Sequence, residues 1–413
     1  MLDIKFIREN PELIKKNNQN RGVELDVDRL LELDESRRKS ISQIEVLRAD
    51  RNKTSKGKPS DEEIQRMKKL GEDLSSLELE AENIEKEWKA LLMRIPNLTH
   101  LDVPSGGEDD FKILETKGKI PEFDFKAKDH EELMQNLGVI DFERGAKTSG
   151  SKFYFAKGDL VRLNQALIQY GIDVVRRHGF ILMETPELVK NNILEGVGFN
   201  PRGPESNTYV VDDQDMSLIG TAEIPLAGYH AGETLDLSKG PIKYAGISHC
   251  FRTESGAYGR VSKGLYRVHQ FTKLELFAYC KPEDSESIHQ ELLDIEKEID
   301  DGLGLSYQVI DTASKDLGAP AYRKFDIESY MVMKEGYGEI SSTSNCTDYQ
   351  ARRLNIRYKK EDGEVDFVHT LNGTAITTSR LPVAIFENFQ TKEGTIIIPD
   401  VLRPYMGGLT EIK

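Results

Sequence analysis

The chain has 413 residues, of which 38% are apolar, 31% charged and 8% aromatic. That length exceeds what one core accommodates and predicts two domains or three, while the balance is too polar for a membrane protein and too aromatic for a disordered one. Lys and Arg number 56 against 71 Asp and Glu, a net charge of -15, which excludes non-specific coating of nucleic acid and leaves only local contacts.

At the N-terminus Asp3 and Glu9 sit without a hydrophobic stretch, so neither a secretory signal nor an acid-poor transit peptide is expected. The longest apolar run, Leu276 to Cys280, has five residues, against the ~20 a membrane helix needs. A cytoplasmic location is the expectation.

From Leu30 to Ile95 the chain is polar with apolar residues every three or four positions. Ile64, Met67, Leu70, Leu74, Leu77, Ala81, Ile84, Trp88, Leu91 and Ile95 form a heptad seam, matched by Leu30, Leu33, Ile41, Ile44 and Leu47. Gly57 and Pro59 break the pattern between them, and Ser60 is placed to cap the second helix. Two long helices folding back on each other are predicted, with no space for a catalytic pocket. Near the turn Arg48, Arg51, Lys53, Lys56 and Lys58 face only Asp50, a local +4 in an acidic chain, so the arm's tip is a candidate phosphate-contacting surface. The domain expected over residues 1–100 ends where Pro96 stops the helix, and residues 101–125, with Pro104, Gly106 and Gly107, read as a linker to a domain over 126–413.

Beyond the linker come strand-like runs at Phe153–Ala156, Ile181–Met183 and Leu265–Tyr279, with helices at Leu160–His178 and Glu283–Gly302. They do not alternate regularly, which favours an antiparallel or mixed sheet with flanking helices. Neither GxxxxGK[ST] nor a GxGxxG after a strand occurs, so arginine must hold any nucleotide phosphate. Arg252 and Glu254, two apart, share a strand face, a bidentate cation beside an acceptor. Phe271 and Glu275, four apart, likewise share one. Arg380 opens a helical segment after the small-residue run from Asn372 to Ser379, which permits close backbone approach. Cys250, Cys280 and Cys346 lie 30 and 66 positions apart and form no CxxC pair, so neither a disulfide framework nor structural zinc is expected.

The stretches Thr221-Ala-Glu223, Phe251 to Glu275, Glu339-Ile-Ser-Ser342, Ser344 to Arg352 and His369-Thr-Leu-Asn-Gly373 through Arg380 resemble those of the seryl-tRNA synthetase family, within the class II aminoacyl-tRNA synthetases. The beginning Met1 to Pro11, the helical arm and Val401 to Met406 are also similar, so the resemblance spans essentially the whole chain. It implies an α+β fold, a class II antiparallel sheet with an appended antiparallel coiled coil, and a homodimer through Gly179 to Pro186.

By the same resemblance Arg252 bridges the α-phosphate of ATP and the serine carboxylate, Arg380 holds the γ-phosphate, Glu254 reads the adenine amino group and Phe271 stacks on its ring. Glu339 and Ser342 would hold Mg²⁺, a hard cation on oxygen ligands. Glu275 and Thr374 match the hydroxyl-reading pair, and Thr221 with Glu223 the amino-acid-binding TxE. The implied chemistry activates L-serine to the adenylate and passes it to tRNA(Ser), the arm gripping the tRNA by its backbone. An ionised carboxylate nucleophile needs no general base, which leaves His249, His269 and His369 as structural residues. One departure is that Ala375 and Ser379 stand where the family often has glycines. A carrier-protein ligase is disfavoured by the full arm, and a non-catalytic paralogue by the intact set of arginines, glutamate and TxE.

Overall fold

The computed structural model describes residues 1–53, 60–200, 206–254 and 263–413. Contacts divide the chain into two compact units, Met1–Leu98 and Thr99–Lys413.

In the first unit two short helices, α1 (Ile4–Glu9) and α2 (Pro11–Asn20), precede two long ones, α3 (Val27–Lys53) and α4 (Asp61–Arg94). The long helices have 27 and 34 residues, about 40 and 51 Å at 1.5 Å per residue. Their direction follows from the ion pairs between them: Arg29 meets Glu87 (3.0 Å), Arg37 meets Glu85, and Arg48 meets Glu78 (2.7 Å). Rising numbers on one helix meet falling numbers on the other, so the arm is antiparallel. From Met67 to Ile95 the predicted seam of α4 is at least partly buried, and only Ile64 is exposed. Trp88 lies under the Arg37 guanidinium, 4.4 Å from its ring centroid. In α3 the repeat runs through Leu30, Arg37 and Ile44 and through Leu33, Ser40 and Leu47. Ile41, expected in the seam, falls one residue beyond it and is exposed. Ser60 caps α4 as expected: its hydroxyl accepts from the Glu63 N–H, and the Glu63 carboxylate accepts from the Ser60 N–H at 2.7 Å.

Among the described residues the second unit carries an eight-stranded sheet. Its strands are β1 (Lys112–Lys117), β2 (Ile181–Glu184), β3 (Ile242–Phe251), β4 (Gln270–Cys280), β5 (Tyr307–Asp311), β6 (Arg323–Met331), β7 (Gly336–Asn345) and β8 (His369–Thr377). The spatial order β1-β5-β6-β7-β8-β4-β3-β2 is antiparallel except for β2 against β3. The stretch expected as a linker, 101–125, thus supplies an edge strand, β1, paired with β5. Its side chains are largely exposed on both faces, so no buried period marks it in the sequence. The strand expected from Leu265 begins instead at Gln270. The amides before it are bonded elsewhere, Leu265 to the His130 ring and His269 to the Lys152 carbonyl.

Three helices flank the sheet: α5 (Asp159–Arg177), α6 (Ser285–Leu303) and α7 (Arg380–Asn388). α5 buries Leu160, Leu163, Leu167, Tyr170 and Val174, three or four apart. A Cβ on Gly171 would sit 2.5 Å from Ile376 Cγ1 and 3.0 Å from Leu274 Cδ2, so only a hydrogen fits where α5 crosses the β4–β8 pair. Leu274 and Ile376 are cross-strand partners facing this helix. Phe271, Lys273 and Glu275, odd in number, therefore face the opposite side.

Two β-bulges shape that opposite side. In β7 Ile327 pairs with Ser341 but Glu328 pairs with Glu339, leaving Ile340 as the extra residue. In β8 Thr374 pairs with Glu275 but Ile376 with Leu274, leaving Ala375 extra. In a regular strand Glu339 and Ser342 would point to opposite faces. The bulge puts both on the face of their partners Glu328 and Asp326, and does the same for Thr374 and Thr377 opposite Glu275 and Lys273. Among the described residues no helix is long and apolar enough to cross a membrane.

Candidate active site

The bulged face forms one wall of a cleft lined by Arg252, Glu254, Tyr266, Arg267, Phe271, Lys273, Glu339, Ser342, Thr374, Thr377, Ser379 and Arg380 among others. Arg252 follows directly on β3. Its Nε donates to the Gly220 carbonyl at 3.1 Å, and its guanidinium lies 5.2 Å from the Phe271 ring centroid. His269 holds the Arg252 carbonyl through Nδ1 at 2.8 Å. Glu254 accepts from Arg267 at 3.3 Å and has φ of 52°, a left-handed conformation that a non-glycine residue adopts at a cost of roughly 1–2 kcal/mol.

Across the cleft Arg380 opens α7 and meets the Glu339 carboxylate at 2.6 Å. Burial alone would raise the Glu339 pKa, but the charges of Arg380 and Lys324 overcome it and hold the carboxylate at about 2. Burial likewise works against the Arg380 charge, and Glu339 more than restores it. Tyr266 packs under both Arg380 and Lys334, its ring centroid 5.4 and 4.5 Å from them, and its hydroxyl donates to the Glu339 carbonyl at 3.1 Å. A second cavity shares Tyr266, Arg267, Glu339 and Arg380 and adds Asp326, Glu328 and Lys334.

Beside the cleft lies a buried polar cluster. Lys273 pairs with Glu275, and both are almost fully buried. Thr221 Oγ1 accepts from the Glu223 N–H at 3.2 Å. Glu223 is buried, accepts from Gln350 at 2.7 Å, and is pushed up to about 7 by burial and then by the Glu275 charge. Burial raises Glu275 too, against the pull of Lys273. Behind the β8 bulge Glu296 of α6 accepts from the Thr374 N–H at 2.9 Å and the Ser341 hydroxyl at 3.2 Å. A Cβ on Gly373 would come within 2.8 Å of that carboxylate.

Of the residues singled out in the sequence, Arg252, Glu254, Phe271, Glu339, Ser342, Thr374 and Arg380 line one cleft. Thr221, Glu223 and Glu275 do not line it and are buried, with Glu275 joined to the wall residue Lys273. His249, His269 and His369 are not among its walls. Ser379 has a φ of -99°, and Ala375 is not among the residues with positive φ, so neither departure from glycine strains the backbone. Sequence reasoning missed Lys273, although it sits midway between Phe271 and Glu275 and shares their face by the same alternation. It also missed Tyr266, Arg267 and Glu296, for which no local signal exists. On the arm Arg48, expected at a free basic tip, is tied to Glu78. Arg51 is exposed, Lys53 ends α3, and Lys56 and Lys58 lie outside the described residues. The arm is also not without a hollow: a groove between its helices is lined by Ser42, Val46, Leu47, Asp73, Leu77 and Glu80 among others, with no cationic residue.

Residues 209–389 match the class II core domain of the tRNA synthetases for G, H, P, S and T, which gives the domain its class. Residues 1–99 match the seryl-tRNA synthetase N-terminal domain. A serine–tRNA ligase of Treponema denticola is 50% identical, covering 98% of this chain and 99% of its own, and one of Dictyoglomus turgidum is 48% identical over 100% and 99%. The solved seryl-tRNA synthetase of Pyrococcus horikoshii complexed with ATP superposes with a TM-score of 0.91 at 40% identity, covering 100% of this chain and 99% of the other. The cytoplasmic serine–tRNA ligase of Naegleria fowleri in complex with AMP gives 0.85 at 35% identity. The chain belongs to the seryl-tRNA synthetase family.

Proposed function

We propose that this chain activates L-serine with ATP and transfers it to the 3′ end of tRNA(Ser). The observation that carries the reading is that Arg252 and Arg380, 128 positions apart in sequence, line one cleft together with Glu339, Ser342 and Phe271. In the first step the serine carboxylate attacks the α-phosphorus, an O–P bond forms, and the bond to pyrophosphate breaks. Arg252 orients the two anionic reactants, and Arg380 balances charge on the departing phosphates. Glu254 accepts from the adenine amino group while Phe271 supports the ring. In the second step the terminal ribose hydroxyl attacks the seryl carbonyl and AMP leaves.

Glu223 as a carboxylate receives the serine ammonium, with Thr221 beside it. Glu275 and Thr374, cross-strand partners, hydrogen-bond the serine hydroxyl. Alanine would leave these buried groups unpaired, a discrimination of up to ~10⁴ or more. Mg²⁺ fits the donor set, because Glu339 is held ionised and Ser342 shares its strand face. One carboxylate and one hydroxyl are few ligands, which suits a cation that also takes phosphate oxygens. When bound it supplies charge neutralisation to the phosphates.

The arm is read as the tRNA-gripping element, with Arg51 and the adjoining lysines contacting backbone phosphates. β2 is a sheet edge whose Ile181 and Leu182 are exposed at 58% and 39%, which supports a homodimer through this motif. The cytoplasm is the corresponding location. Amino-acid-dependent ATP–pyrophosphate exchange over twenty amino acids tests the reading, with strong exchange expected for serine alone. Equal exchange with alanine or threonine would overturn it.

A further inference from the structure

The polar pair His130–Glu387 lies outside the cleft, and both side chains are fully buried. Glu387 is on α7, seven positions after Arg380 at its start, while His130 begins the short helix His130–Asn136. Glu387 Oε1 accepts from the His130 backbone N–H at 3.1 Å and meets its Nδ1 at 2.7 Å. Glu387 Oε2 accepts from the Met333 N–H at 2.9 Å. The other ring nitrogen, Nε2, accepts from the Leu265 N–H at 3.1 Å.

The chemistry fixes the tautomer. A backbone N–H can only donate, so Nε2 carries no proton, and the Nδ1 proton points at the carboxylate. Two atoms of the pair thereby each hold a neighbouring segment, Nε2 that of Leu265 and Glu387 Oε2 that of Met333. Leu265 precedes Tyr266 and Arg267, Met333 precedes Lys334, and α7 begins with Arg380. Tyr266 in turn packs against Arg380 and Lys334 and bonds the Glu339 carbonyl. Gly264, at φ +56°, passes so close that a Cβ there would lie 2.5 Å from His130 Nε2.

We infer that His130 is a positioning residue for the nucleotide: its unprotonated Nε2 holds the Leu265 amide, so that Tyr266 stands against Arg380 and Arg267 against Glu254 in the geometry that binds ATP. The inference rests on the proposed reading of the cleft as an ATP site. It separates ATP affinity from serine affinity, because the serine cluster of Thr221, Glu223 and Glu275 makes no contact with this pair.

Two substitutions divide the ring between them. His130→Gln reaches as far as Nε2 and keeps an acceptor for Leu265 while losing the partner for Glu387. His130→Asn keeps a donor near Glu387 and leaves the Leu265 amide unpaired. ATP dissociation constants by titration calorimetry and Michaelis constants for ATP and serine in pyrophosphate exchange are measured on the full chain, with thermal melting alongside. The expected outcome is an ATP constant raised about tenfold or more in His130→Asn and within about threefold of wild type in His130→Gln, with the serine constant unchanged in both. Equal ATP constants in the two variants, or parallel rises for ATP and serine that track the loss of melting temperature, overturn the inference. Should His130→Asn fail to fold, Gly264→Ala presses on the same contact from the other side, and an unaltered ATP constant there overturns it equally. Calorimetry with ATP alone keeps the two claims apart: wild type that binds ATP but exchanges with an amino acid other than serine sinks the serine reading and leaves the anchor standing or falling on its own variants. Wild type that does not bind ATP sinks both.

Discussion

Glu223 is the most direct place to test the proposed serine site, because it must be ionised to receive an ammonium and its surroundings oppose that. Burial and the neighbouring Glu275 push it up to about 7, against the Gln350 hydrogen bond and the more distant charges of Lys273 and Arg252. With half-titration near 7, about one site in eleven is ionised at pH 6 and about ten in eleven at pH 8, so kcat/KM for serine rises about tenfold across that range. The same group acts on stability with the opposite sign. A carboxyl raised from its ordinary 4.5 binds its proton more tightly folded than unfolded, so the free enzyme loses up to about 3 kcal/mol as pH climbs from 4.5 to 7. Glu223→Gln keeps an acceptor for Gln350, so it removes both limbs without unfolding the site, while the lost charge raises the serine KM roughly 10- to 100-fold. The assay is serine-dependent pyrophosphate exchange from pH 6 to 8 at saturating ATP, with ATP KM as the control. A flat serine profile in the wild type, or an undiminished limb in Glu223→Gln, would refute the assignment.

Arg380→Ala should lower exchange by about 10²–10³-fold and also destabilise the fold, since Glu339 loses the cation that holds it ionised, whereas Arg380→Lys should recover melting temperature more than rate. Rate and melting measured on both variants check this. Gly171→Ala forces a methyl into the 2.5 Å gap against Ile376 and should destabilise by about 1–3 kcal/mol in chemical denaturation. Deleting residues 30–95 should abolish tRNA charging while sparing exchange, and Arg51→Glu in the intact chain should weaken tRNA binding and flatten its salt dependence. Equal loss of charging and exchange on arm deletion would end the proposed division of labour.

The parts of this molecule that were legible in the sequence are those governed by local period. The seam from Met67 to Ile95 and the Ser60 cap follow from spacing alone, and the alternation in β4 puts Phe271 and Glu275 on one face. Ile41 departs from the expected seam because the strict heptad runs through Ser40, which is buried while Ile41 is exposed. β1 carries no such signature, because its partner strand lies 190 to 199 residues away and its side chains bury little. The bulges at Ile340 and Ala375 were invisible for a different reason: an extra residue in a strand leaves no trace in composition. Yet they decide which side chains line the cleft, and a regular β7 would have separated Glu339 from Ser342.

The cleft must bind a polyanion within a chain of net charge -15, and its internal pairing is what makes that workable. Arg380 is held by Glu339, Arg267 by Glu254 and Lys273 by Glu275. Each pair joins a cation suited to phosphate or carboxylate with an acid suited to a metal ion, an adenine amino group or a hydroxyl. These three cations are compensated before substrate arrives, which avoids the penalty of an isolated buried ion. On the proposed roles, ATP binding is therefore an exchange of partners: phosphate replaces Glu339 on Arg380, and the freed carboxylate, already ionised at neutral pH, turns to the cation that accompanies the phosphates. Such an exchange needs walls that keep their positions while partners change, and on the inference drawn above the bond from the Leu265 N–H to His130 Nε2 fastens the backbone beside Tyr266 from behind.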